Sequence, residues 1–176
     1  MKDINSKRFM VDAMLVKLGK FMRILGLDTD IADNSISDEG IIQQALETDR
    51  ILITMDKSLY ERLHKQTKKV LILNTATLEE QLISVFINSS TRFSPLDLND
   101  PLSYNSRCSR CNSLIRSISK DKVKDRIPKQ SFDSFDHFWL CSNKNCRKVY
   151  WRGSHWKRIC QTISIVKDKL EELKRT

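Results

Sequence analysis

The sequence predicts an α/β protein: a parallel sheet flanked by helices, followed by a small metal-bound ribbon and a C-terminal helix. Three observations carry this. Short apolar runs alternate with helical periodicity through the first ninety residues or so. All five cysteines lie in the second half, four of them in two close pairs. A long charged helical pattern closes the chain.

The elements follow in order. "RFMVD" (8–12) reads as a short buried strand. From Ala13 to Leu25 the spacing of Met14, Leu15, Leu18, Met22 and Leu25 predicts a helix, with Lys17, Lys20 and Arg23 on its other side. Gly26 suits the left-handed residue that ends such a helix. "TDIA" (29–32) is a second strand. Ser37 is an N-cap, with Asp38 and Glu39 at the positive end of a helix burying Ile41, Ile42, Ala45 and Leu46. "ILIT" (51–54) is a strand, and a helix follows from Lys57 to about Lys65. "VLIL" (70–73) is the fourth strand. "TLEE" (77–80) forms a capping box for a helix reaching about Ile87. Strand and helix alternate throughout, which implies parallel strands with crossover helices.

Residues 88–107 are polar and include Pro95 and Pro101, the mark of a linker. The expected organisation is a catalytic-type α/β domain over 1–90, a linker over 91–107, and a ribbon with a basic helix over 108–176. The last helix spans His155 to Lys174. No apolar run is long enough to span a bilayer, and the N-terminus lacks a signal-like apolar core, so a cytoplasmic location is expected. Neither a P-loop nor G-x-G-x-x-G occurs, and the chain has only 4 glycines, which argues against nucleotide-cofactor chemistry.

Charge divides the chain. Residues 1–100 hold 13 Lys and Arg against 15 Asp and Glu, while residues 101–176 hold 18 against 7. A near-neutral front joined to a strongly basic back suggests a polyanionic partner; a merely soluble Lys-rich surface is the plainer alternative.

Cys108, Cys111, Cys141 and Cys146 form C-x₂-C and C-x₄-C pairs with 29 residues between. Two thiolate pairs suit tetrahedral Zn²⁺, and a complete Cys₄ set has no open position, so its role is structural. His137 and His155 are alternative ligands, or else surface or nucleic-acid contacts. Cys160 is left over on the last helix as a free thiol. After the last ligand, "RKVYWRGSHWKR" interleaves Arg147, Lys148 and Arg152 with Tyr150, Trp151, His155 and Trp156. Cations that track phosphates and aromatics that stack on unpaired bases make a candidate RNA surface. At least one Trp is expected in the ribbon's small core instead. Lys17, Lys20 and Arg23 offer a second candidate surface.

Asp12 and Asp56 each close a strand, and Asp38 opens a helix. In a parallel sheet these positions share one edge, where ligands bind. Packed carboxylates need a cation, and oxygen donors suit Mg²⁺ or Mn²⁺, which supports phosphodiester hydrolysis. Thr54 is placed to orient Asp56. Taken singly, each acid reads as a helix cap or first-turn charge.

The pieces "FMVDAMLVKLGKFMRILGLDT", "SDEGIIQQALETDRILITMD", "TLEEQL", "CSRCN" and "VYWRGSHW" resemble the Mut-seven C-terminal RNase family, which pairs a PIN-like nuclease domain with a zinc ribbon. The resemblance runs from Phe9 to Trp156. It implies a metal-dependent ribonuclease with catalytic, metal-holding roles for Asp12, Asp38 and Asp56. Asn74 stands where such domains often carry a fourth acid. The expected partner is RNA, with ribosomal or structured RNA as candidates. The competing expectations are a non-catalytic RNA- or ribosome-associated module and, less well matched by a chain with a ribbon, a toxin-like nuclease.

Overall fold

The computed structural model describes residues 7–91 and 106–175. Four parallel strands, β1 (Arg8–Val11), β2 (Asp28–Ile31), β3 (Ile51–Thr54) and β4 (Val70–Ile72), form one sheet in the order β2-β1-β3-β4. Val11 pairs with Ile31 on one side and Ile53 on the other, and Thr54 pairs with Ile72. Successive strand residues point to opposite faces. Phe9, Val11 and Ile53 therefore pack with α1 (Val16–Ile24) and α4 (Leu78–Asn88) through Leu18, Met22, Leu82 and Val85. Met10 and Leu52 face α2 (Asp38–Glu47) and α3 (Lys57–His64) through Ile41, Ala45, Leu59 and Leu63.

Local signals explain the boundaries. Ser37 Oγ accepts from the Gly40 N–H at 3.3 Å. Thr77 and Glu80 make the reciprocal capping box. Gly26 has φ 83°, and the N–H groups of Gly26 and Leu27 donate to the carbonyls of Arg23 and Met22, a double closure that needs a left-handed residue. A Cβ on Gly19 would meet Val11 Cγ2 at 2.6 Å, so glycine lets α1 lie close on the sheet.

Two expected core residues lie outside the core. Met14 is 72% exposed because residues 13–15 form a 3-10 turn, whose tighter winding puts Met14 out of phase with α1. Leu46 is 41% exposed, at the end of α2 where the packed face runs out.

The second sheet is antiparallel: β5 (Ile115–Ile118), β6 (Phe138–Cys141) and β7 (Val149–Tyr150). A 3-10 segment, Lys120–Arg126, and α5 (Lys129–Ser134) lie between β5 and β6. The final helix α6 (Ser154–Arg175) leaves this sheet and packs on the front core. Ile163, Val166 and Leu170 are buried with Leu82 and Val85, and Thr162 donates to Glu79 at 2.7 Å. Helix α6 thus joins the front core, while β5–β7 hold a separate small core around the cysteines. Most of the expected linker, residues 92–105, lies outside the described residues. Among those described, no helix is long and apolar enough to cross a membrane.

Candidate active site and metal centre

Parallel strands bring Asp12 and Asp56 to one edge. Asp12 follows β1 and caps the 3-10 turn, its Oδ1 accepting from the Met14 N–H at 3.3 Å. Asp56 follows β3 by two residues and caps α3, accepting from the Leu59 N–H at 2.9 Å. Thr54, fully buried, lies between them. Its Oγ1 accepts from the Asp56 N–H at 2.9 Å and donates to Asp12 Oδ2 at 2.9 Å. The hydroxyl has one proton, so the partner carboxylate must accept. The expectation that Thr54 orients the Asp56 carboxylate is corrected here: it holds the Asp56 main chain and aims the Asp12 carboxylate. Asp12 is only 7% exposed, yet its oxygens have these donors.

Asp38 opens α2 and meets Arg62 of α3 at 3.1 Å, and Arg62 also pairs with Glu39. Arg62 is a residue that sequence patterning missed, because nothing local marks a cation reaching from one helix to the start of another. Asn74, two residues past β4, is exposed at the same edge. Among the described residues, only the cysteines bring three or more potential metal donors within 4.8 Å of one another.

The four cysteine sulfurs form that group. Cys108 and Cys146 Sγ are 3.7 Å apart, and Cys111 and Cys141 Sγ 3.4 Å. A tetrahedron with about 2.3 Å metal–sulfur bonds has edges of about 3.8 Å, so the set fits a metal such as zinc. A disulfide would need about 2.05 Å. Burial opposes ionisation of Cys111, Cys141 and Cys146. At Cys111 hydrogen bonds from Ser113 and the neighbouring thiols outweigh it and draw the pKa down to about 6. At Cys141 and Cys146 burial wins and both are pushed up. The Tyr150 hydroxyl lies 3.0 Å from Cys108 Sγ and accepts from the Ser109 N–H at 3.1 Å. A polar partner on a ligand sulfur fixes its orientation. Cys160 is free and outside the group. His137 and His155 are not members of it.

The cysteine unit is bonded to the edge strand β2. Asn112, in the left-handed region at φ 66°, accepts from the Thr29 N–H at 3.1 Å and donates to Asp28 at 2.8 Å. Arg107 lies 3.6 Å from Asp28, and Arg50 reaches Asp28 at 2.7 Å and Asp30 at 2.8 Å. Arg23 is buried, donating to the Thr29 carbonyl at 2.7 Å and the Ser109 carbonyl at 3.1 Å. This corrects its expected role as an RNA contact: it joins α1 to the ribbon. Lys17 and Lys20 are exposed as expected.

Of the basic–aromatic stretch, Arg147, Lys148 and His155 are exposed. Tyr150, Trp151, Arg152 and Trp156 are half-buried. Arg152 stacks 5.6 Å from the ring centre of Trp139, which is the Trp buried in the ribbon core. Lys148 stacks at 5.2 Å on Tyr150.

The chain thus joins a parallel α/β domain with strand-end carboxylates to a four-cysteine unit. The chain belongs to the Mut7-C RNAse domain family, whose model matches residues 7–163. That membership points to a ribonuclease-type function with RNA as substrate or partner. No curated protein and no solved structure matches the chain.

Proposed function

We propose that the protein is a metal-dependent ribonuclease of PIN-like type that hydrolyses RNA phosphodiester bonds at the edge formed by Asp12, Asp38 and Asp56, the reading that the resemblance to the family implies. The observation that carries it is the Thr54 hydroxyl, which holds the Asp12 carboxylate beside the Asp56 turn in a chain of an RNase family. Mg²⁺ or Mn²⁺ is usually held by one or two carboxylates, with waters and substrate phosphate completing the shell. Asp12 and Asp56 fit that donor set, and Asp38 joins it when Arg62 releases it. When bound, the ion would supply an activated water and neutralise charge on the leaving oxygen. Thr54 keeps the Asp12 carboxylate aimed, and the helix starts at Asp38 and Asp56 direct backbone N–H groups toward the same edge, which favours phosphate. The four cysteines hold a structural Zn²⁺ that folds the ribbon, and the ribbon's basic–aromatic surface binds RNA.

A second reading keeps RNA binding without cleavage. The ion pair of Arg62 with Asp38 and the presence of Asn74 rather than an acid favour it. The deciding experiment incubates pure protein with structured and single-stranded RNA in Mn²⁺, beside Asp12→Asn. The nuclease reading expects cleavage by the wild type to fall by at least a hundredfold in the variant. Equal residual cleavage by both would assign the activity to a contaminant and leave the binding module.

A further inference from the structure

A cleft of about 620 Å³ opens between β7, the start of α6 and the end of α1. Its size is that of a small-molecule site. All three tryptophans of the chain, Trp139, Trp151 and Trp156, line it. Among the described residues no Asp or Glu lines the cleft, whereas Arg107, Lys148 and Arg152 do. Among the described residues Arg152 Nε, buried there, has no hydrogen-bond partner. The first turn of α6 also borders it and, unlike those of α2 and α4, contains no acid. The positive end of the 22-residue helix is therefore uncompensated by its own side chains. Gly153 matters for the same wall: a Cβ would meet Trp151 Nε1 at 3.0 Å, so glycine leaves room for the indole.

An aromatic-walled cleft bordered by cations and a helix N-terminus matches a ligand with a flat apolar ring and an attached anion. We propose that it takes one unstacked nucleobase of single-stranded RNA, stacked on Trp151, with the adjoining phosphate toward Arg152 and the α6 N-terminus. This rests on the reading of the chain as an RNA-processing protein and adds to it a place and a consequence. The cleft includes Ile24, the last residue of α1, whereas Asp12 lies just before the other end of that helix. About 12 Å of helix separates the two ends. The base anchor and the acidic edge are thus separate sites, and one strand must run between them.

Because every tryptophan lines the cleft, intrinsic fluorescence reports on it directly. The full chain is titrated with a single-stranded RNA oligonucleotide and with an abasic oligomer of equal length, using Asp12→Asn to prevent cutting. Binding is followed in parallel by anisotropy of a label on the oligomer. The proposal expects quenching by the base-bearing strand and little by the abasic one. Trp151→Ala should weaken base-bearing binding about 5- to 150-fold, the range seen for one stacked base. Trp151→Phe should restore most of it, and Gly153→Ala, which displaces the indole, should fall between. Circular dichroism checks that each variant is folded. Should Trp151→Ala fail to fold, the other two variants decide. Anisotropy binding with no fluorescence change, equal quenching by both oligomers, or unaltered affinity in the variants would overturn the proposal. So would quenching by an aromatic peptide in place of RNA. Wild type that quenches but cuts no RNA would sink the nuclease reading and leave this one standing; cutting without quenching would do the reverse.

Discussion

Thr54 is the residue on which the acidic edge turns. It is fully buried, and its hydroxyl serves two partners that have few alternatives. Thr54→Val keeps the shape of the side chain but removes the donor to Asp12 and the acceptor for the Asp56 N–H. Leaving such groups short of a partner costs about 1–3 kcal/mol. Urea unfolding should show a loss of that size, and cleavage should fall because the Asp12 carboxylate is no longer aimed. Thr54→Ser should recover most of both. This site was only half legible in the sequence. The T-x-D ending of β3 and the position of Asp12 could be read from strand patterning. Which carboxylate the hydroxyl serves depends on the register between β1 and β3, a tertiary fact. Arg62 was not legible for the same reason: its partners lie 23 and 24 positions away in sequence.

At the scale of elements, the edge strand β2 is the joint between the two sheets. An open strand edge invites unwanted pairing unless it is covered. Here Asn112 covers it, supplying an acceptor to Thr29 as a neighbouring strand would. Asn112→Gly tolerates the positive φ and so isolates the side chain's bonds. It should destabilise the fold by about 1–3 kcal/mol and speed exchange of the Thr29 amide. Asp28 adds a pH dependence. Burial raises its pKa, but hydrogen bonds from Arg50 and Asn112 and the charges of Arg50 and Arg107 outweigh this and hold the carboxyl below its ordinary value. A depressed carboxylate contributes stability above the pKa of the unfolded chain and loses it as pH falls through the folded value. Acid titration followed by exchange at Thr29 should therefore loosen this joint below about pH 4, and Asp28→Asn should flatten that dependence. Strands, helix caps and the Gly26 turn were legible because local backbone chemistry decides them. Met14 was misplaced because a 3-10 turn changes the winding without changing the residue pattern. Arg23 read as an outward cation because periodicity cannot see the ribbon that buries it.

The whole molecule is tied together twice, by the β2 joint and by α6. Helix α6, although part of the basic stretch 101–176, packs on the front core. Burying Ile163, Val166 and Leu170 contributes about 1.5–3 kcal/mol for each side chain. Metal removal should accordingly melt β5, β6 and β7 and expose the Thr29 amide, while α6 stays protected on α4. Hydrogen exchange of chelated against zinc-loaded protein checks this, and loss of protection in α6 together with β6 would show that the ribbon holds the helix in place. The central claim is that the edge around Asp12, Thr54 and Asp56 is where a divalent ion meets RNA. Its most direct measurement is anomalous scattering from a Mn²⁺-soaked crystal. The account predicts a peak in contact with the Asp12 and Asp56 carboxylates that disappears in Asp12→Asn. A Mn²⁺ peak elsewhere, with that edge empty in a protein that cuts RNA, would contradict it.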